Sequence, residues 1–135
     1  MVRTNSDEYY IISLCDEVLG LKSSRQHRFD FLRGDTGRKL PVDAYYQERN
    51  LVIEYHERQH KETVKLFDER MTVSGVTRNI QRKIYDERRK TFLPQNNISL
   101  IVLSYKDFGK SKKLRKDKTA DLAIIQNILK EYINH

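Results

Sequence analysis

The chain has 135 residues, 33% of them charged and 38% apolar, and carries a net charge of +7. That balance excludes a disordered polymer, and no apolar run approaches the roughly 18 residues needed to cross a bilayer. A single cysteine, Cys15, excludes an internal disulfide and a multi-cysteine zinc site. The length suits one domain over 1–135 that buries roughly two-thirds of its unfolded surface. The opening residues, MVRTNSDEYY, lack the apolar block of a signal peptide. The expected compartment is therefore cytoplasmic.

Ser6, followed by Asp7 and Glu8, reads as a helix N-cap with acids in the first turn. Ile11, Leu14, Cys15 and Val18 then recur at helical spacing, and Gly20 ends the helix. Phe29 and Phe31 alternate with polar residues across 28–33, which predicts a strand, and Gly34-Asp35-Thr36-Gly37 is a turn signal. Strands follow near 39–46 and 50–56, separated by the polar Gln47-Glu48-Arg49-Asn50. The spacing predicts a second helix over 75–93, with Val76, Ile80, Ile84 and Tyr85 inward and Pro94, Asn96 and Asn97 closing it. Residues 98–103 form a nearly continuous apolar run, the mark of a strand covered on both faces. Leu122, Ile125, Ile128, Leu129 and Ile133 define a final amphipathic helix. The order α-β-β-β-α-β-α makes an α/β fold, with an antiparallel meander and a crossover to a parallel strand.

Charge is concentrated at 106–118, KDFGKSKKLRKDK, where seven Lys or Arg face Asp107 and Asp117. This is the footprint of a polyanion partner, with Lys110, Lys112, Lys113, Arg115 and Lys116 as contacts. The plainer reading is a solvated loop. On the second helix Arg78, Arg82 and Arg89 fall on roughly one stripe that can meet phosphates. Arg82 and Asp86 can equally pair with each other. Lys65 and Arg70, in the polar stretch before that helix, are further candidates.

The chemistry concentrates at 40–60. Asp43 lies among Pro41, Val42, Ala44 and Tyr45, and Glu54 lies within Leu51-Val52-Ile53-Glu54-Tyr55-His56. A carboxylate inside a buried strand costs several kcal/mol unless compensated. Strand alternation sets Glu54 and His56 on one face about 7 Å apart. Asp43 and Tyr45 share a face of the neighbouring strand. Converging there, Asp43 and Glu54 suit a hard divalent cation such as Mg²⁺. The competing reading pairs each acid with its own Arg or Lys at a strand end.

This arrangement resembles the PD-(D/E)XK nuclease superfamily: an initial helix, a meander carrying Asp43 and then Glu54-x-His56, a crossover helix and a buried strand. The run Ile53-Glu54-Tyr55-His56-Glu57-Arg58-Gln59-His60 is most similar to the very-short-patch-repair mismatch endonuclease branch, over residues 7–105. The resemblance implies a restriction-endonuclease-like three-layer core with a mixed sheet in the order αβββαβ plus a C-terminal helix. It implies that Asp43 and Glu54 ligate Mg²⁺ (or Mn²⁺), with the backbone carbonyl of Tyr55 as a further ligand. His56 stands where the name-giving lysine would be. His60 falls where the mismatch-repair branch carries a catalytic histidine, so either His56 or His60 is the expected base, with Gln59 orienting it. Glu17 on the first helix is either the extra acid that holds a metal-bound water or a solvent-exposed side chain.

The expected activity is hydrolysis of DNA phosphodiesters by activated water, in repair or restriction. One site per chain makes a monomer a nickase, and a homodimer would cut both strands; a partner subunit is the companion expected of a catalytically silent chain. The alternative is a catalytically silent nucleic-acid-binding module on the same fold.

Overall fold

The structure, a computed structural model, describes residues 6–57, 77–109 and 116–133. Helix α1 spans Asp7–Leu19. Its start is set by Ser6, whose hydroxyl accepts from the Tyr9 amide at 3.0 Å. Its end is set by Gly20 at φ 66°, a left-handed conformation that glycine adopts without a Cβ penalty. Strands β1 (Ser24–Arg33), β2 (Lys39–Tyr46), β3 (Leu51–His56) and β4 (Ser99–Ser104) form a mixed four-stranded sheet in the order β1-β2-β3-β4. Helix α2 covers Arg78–Gln95 and α3 covers Lys118–Ile128. The described elements thus follow the predicted order of an α/β chain. Among the described residues no helix is long and apolar enough to cross a membrane.

Three local readings need correction. Strand β1 begins at Ser24, four residues before the expected start; Ser24-Arg25-Gln26-His27 is polar throughout and shows no apolar alternation to mark a strand. Helix α2 takes Pro94 into its last turn and closes at Asn96, where Ile80 is 48% exposed instead of facing inward. Pro94 lacks the amide that would bond the Lys90 carbonyl, a loss confined to the last turn because the helix ends at Gln95. Val102 is 38% exposed, so β4 is not covered on both faces; as an edge strand it has one neighbour in the sheet. Gly75 and Val76 lie outside the described residues.

The chain divides into two compact units, and three of the four boundaries fall within β1, β2 and β4. The first comprises Met1–His27, Val42–Arg58 and Ile101–His135. Its core joins Ile11, Ile12, Leu14, Cys15 and Leu19 of α1 to Ala44, Tyr46, Leu51, Ile53 and Tyr55 of β2 and β3, and to Leu103, Ile125 and Leu129. Cys15, on the apolar stripe expected of α1, is buried in this core, and burial pushes its thiol up to about 12. Tyr46 donates to Asp16 at 2.6 Å and Tyr10 donates to the buried Asp121 at 2.5 Å, tying α1 to β2 and to α3. The antiparallel register of β2 and β3 pairs Ala44 with Ile53, Tyr45 with Val52 and Tyr46 with Leu51. Ala44, Tyr46, Leu51 and Ile53 therefore share the core face, and Asp43, Tyr45, Val52 and Glu54 share the other.

The second unit comprises Arg28–Pro41 and Gln59–Leu100. Its β1–β2 turn closes through the Gly34 amide, which donates to the Arg38 carbonyl at 2.9 Å. Helix α2 clamps that turn at several points. Arg88 pairs with Asp35 at 2.8 Å and donates to the Arg33 carbonyl, and the Asp35 amide donates to the Tyr85 hydroxyl at 3.0 Å. Arg89 donates twice to the Pro41 carbonyl and pairs with Asp86 at 3.1 Å.

Gly34 is required by proximity: a Cβ there would sit 2.9 Å from the Tyr85 hydroxyl oxygen and 3.1 Å from Leu40 Cδ2. Gly34→Ala is expected to lower unfolding free energy by roughly 1–3 kcal/mol, the usual cost of overpacking. Chemical denaturation checks this, and an unchanged midpoint would contradict the clamp.

Candidate functional site

The β2–β3 ladder ends at Ala44 and Ile53, and extending that register by one pair sets Asp43 opposite Glu54. There the side chains take over from the backbone. The Asp43 amide donates to Glu54 Oε2 at 2.7 Å, and the Tyr55 amide donates to Asp43 Oδ2 at 2.7 Å. Each carboxylate thus accepts a hydrogen bond from the opposing strand. Glu54 is 5% exposed and Asp43 half-buried. Charge-assisted bonds of this kind offset part of the desolvation cost but leave further lone pairs on both groups.

Helix α1 brings a third acid to Asp43, and it is Glu8, not Glu17. Glu17 is exposed and pairs with Lys118 at 3.5 Å. The reason is helical phase: Glu8 is in line with Ile12, Cys15 and Leu19 on the buried stripe, whereas Glu17 falls off it. The Glu8 amide lies within 3.3 Å of Glu57 Oε1, and Gln26 Nε2 donates to Glu8 Oε2 at 3.1 Å. Burial, the charge of Asp43, a side-chain hydrogen bond shared with Asp43 and the charge of Glu57 together raise the Glu8 carboxyl to about 7. The Gln26 contact opposes this. A hydrogen bond between two carboxyl groups needs a proton, which the raised Glu8 carboxyl can supply. Neither Glu8 nor Asp43 has an ion pair with a Lys or Arg among the described residues.

The remaining expected residues divide. His56 is exposed at the end of β3, and Tyr55 lies 4% exposed on the core face while its amide serves Asp43. His60, Gln59, Lys65, Arg70, Lys110, Lys112, Lys113 and Arg115 lie outside the described residues. Lys116 pairs with Asp7 at 3.5 Å beside the Tyr10 ring. The two acids in the basic segment both cap helices: Asp107 accepts from the Ser104 amide and Asp117 from the Ala120 amide. Arg89, expected on a phosphate-facing stripe, is instead engaged with the Pro41 carbonyl and pairs with Asp86 at i, i+3. Arg78 remains exposed on the first turn of α2. Sequence reasoning missed Glu8, Gln26 and Glu57. Glu8 was legible from its alignment with the apolar stripe. Gln26 carried no signal, because its role depends on a left-handed backbone inside a strand.

Whether these residues suit a divalent ion turns on the donor set. Asp43 and Glu54 supply hard oxygen ligands, and Mg²⁺ commonly takes one or two carboxylates and keeps several waters. Among the described residues no group of three or more His, Cys, Asp or Glu side chains is arranged to hold a metal ion. The donor chemistry therefore fits an open, water-completed site and not a closed cage. No family model, curated protein or solved structure matches the chain.

Glu8 binds its proton more tightly in the folded chain than in the unfolded one, where 4.5 is the ordinary value. The stability it confers is complete below pH 4.5 and falls as the pH rises to about 7. In chelator, Glu8→Gln is expected to abolish that decline. The effect is on the order of 1 kcal/mol, since solvent screens a half-buried group. Denaturant titrations across the window test this; parallel pH profiles for both proteins would contradict it.

Proposed function

We propose that this chain is a metal-dependent endonuclease that hydrolyses DNA phosphodiesters, built on a restriction-endonuclease-like core of the PD-(D/E)XK kind. The observation that carries the reading is Asp43 with an acid on either side: its amide meets Glu54, and the Glu8 carboxyl beside it is raised to about 7. Asp43 and Glu8, close together and without an ion pair among the described residues, weaken the acidity of Glu8 until a cation replaces the proton. Asp43 and Glu54 would hold Mg²⁺ or Mn²⁺, with the Tyr55 carbonyl as a further ligand by resemblance. When bound, such an ion would supply a water of lowered pKa and would offset charge on the phosphate.

The chain's own residues do the rest. Glu8 takes the part expected of the helix acid, accepting a proton and orienting water beside Asp43. His56, two residues beyond Glu54 on the same strand face, or His60, assists proton transfer to or from that water. Gln59 orients the histidine. Basic side chains of α2 and of 106–118 contact phosphates, which makes binding fall steeply with salt.

A second reading, a silent nucleic-acid-binding module, is favoured by two observations: the absence of a three-ligand group among the described residues, and histidine in place of lysine at position 56. A plasmid-nicking assay with Mg²⁺ or Mn²⁺ against EDTA separates the two. Metal-dependent nicking is expected, reduced about 100-fold or more by Asp43→Asn or Glu54→Gln. Nicking that persists in EDTA, or in both variants, would remove the metal mechanism. Independently of turnover, Mn²⁺ is expected to raise the melting temperature of the wild type and not of the double variant, since the ion binds only the folded acids.

A further inference from the structure

The second unit contains a cavity of about 480 Å³ lined by Arg28, Arg38, Lys39 and Arg78 together with Thr36 and Gln81. Leu40, Pro41 and Tyr85 complete its wall, and no Asp or Glu is among the described residues that line it. Four cationic side chains meet at this one concavity, and an anion entering it is attracted by all of them. The wall is also held firmly. Gly34 approaches Tyr85 too closely for any Cβ, the Asp35 amide donates to the Tyr85 hydroxyl, and Arg88 holds Asp35 at 2.8 Å. That last pair draws the turn's carboxylate onto α2. Arg28 donates to the Lys39 carbonyl, joining β1 to β2 beneath the turn. Lys39 itself contacts the exposed Asp30 at 2.6 Å, which lowers the Asp30 carboxyl, while Arg38 has no ion pair with a described residue.

From this cavity we infer a nucleotide site: it takes one unpaired, phosphate-bearing nucleotide of a DNA strand. Guanidinium forks match phosphate oxygens in pairs, and the Thr36 hydroxyl and Gln81 amide add neutral donors. The volume falls within the roughly 300–1,000 Å³ of small-ligand pockets, room for a nucleotide where a bare phosphate would rattle. Leu40, Pro41 and the Tyr85 ring offer the apolar surface that a base or sugar seeks. A concave wall of this kind admits an unpaired nucleotide and not the side of a duplex. That the phosphate belongs to a DNA strand rests on the nuclease reading; that the cavity holds an anion does not.

The test is fluorescence anisotropy of a short labelled single-stranded DNA in EDTA, where hydrolysis plays no part and failure of the nuclease reading leaves the result readable. The Arg38→Ala, Arg78→Ala double variant is expected to weaken binding about tenfold. It should also reduce the slope of log affinity against log salt by about 1.4, the value for two lost phosphate contacts. Lys130→Ala removes a charge from the exposed surface of the first unit and should change affinity less than twofold. Thermal melts confirm that each variant is folded. Equal losses from Lys130→Ala and from the double variant, or no loss from the latter, would overturn the site. Equal binding of a blunt duplex would overturn the unpaired nucleotide, and complete displacement by an equimolar nucleoside monophosphate would overturn the strand.

Discussion

Where β2 and β3 leave their ladder, each strand presents a carboxylate to an amide of the other. The Asp43 amide meets Glu54 and the Tyr55 amide meets Asp43, both at 2.7 Å. Glu54 is thereby buried and Asp43 half-buried at the same level of the sheet. The arrangement is stable only because the opposite face of the same two strands is apolar. Ala44, Tyr46, Leu51, Ile53 and Tyr55 pack on α1 and α3, and their burial offsets the desolvation of the carboxylates behind them. The period of two along a strand makes this division possible within a handful of residues.

Helix α1 has two duties that share a single geometry. Its stripe of Ile12, Cys15 and Leu19 docks on the strands, and the same stripe carries Glu8 to Asp43. Glu8 then meets two like charges, Asp43 and Glu57, in a half-buried setting, and keeps its proton to about pH 7. An acid in that state is poised between holding a proton and yielding it to a cation. Gln26 holds Glu8 from β1 through a backbone conformation at φ 52°, which non-glycine residues adopt only when their surroundings enforce it.

Much of the positive charge that dominates the composition has a local structural role. Arg88 and Arg89 fasten the β1–β2 turn and the start of β2 to α2, and Lys116 and Lys118 pair with acids of α1. Exposed pairs of this sort contribute little, roughly 0–1 kcal/mol each, whereas the arginines that bond backbone carbonyls also fix geometry. The cations of the 480 Å³ cavity are gathered differently, around open space and around no lining acid among the described residues.

Local rules made much of this legible in the sequence alone. Ser6 and Gly20 bounded α1, the glycines at 34 and 37 announced the turn, and alternation separated Asp43 and Glu54 from the core face of their strands. Each of these depends on neighbours a few positions away, so chain order carries the information. Tertiary structure alone decided that α1 would offer Glu8 in place of Glu17, that Gln26 would reach it, and that Arg89 would face Pro41. It also decided that β4 would lie at an edge and leave Val102 exposed. Those outcomes turn on which elements meet and how far long side chains extend, and both are fixed only when distant segments pack.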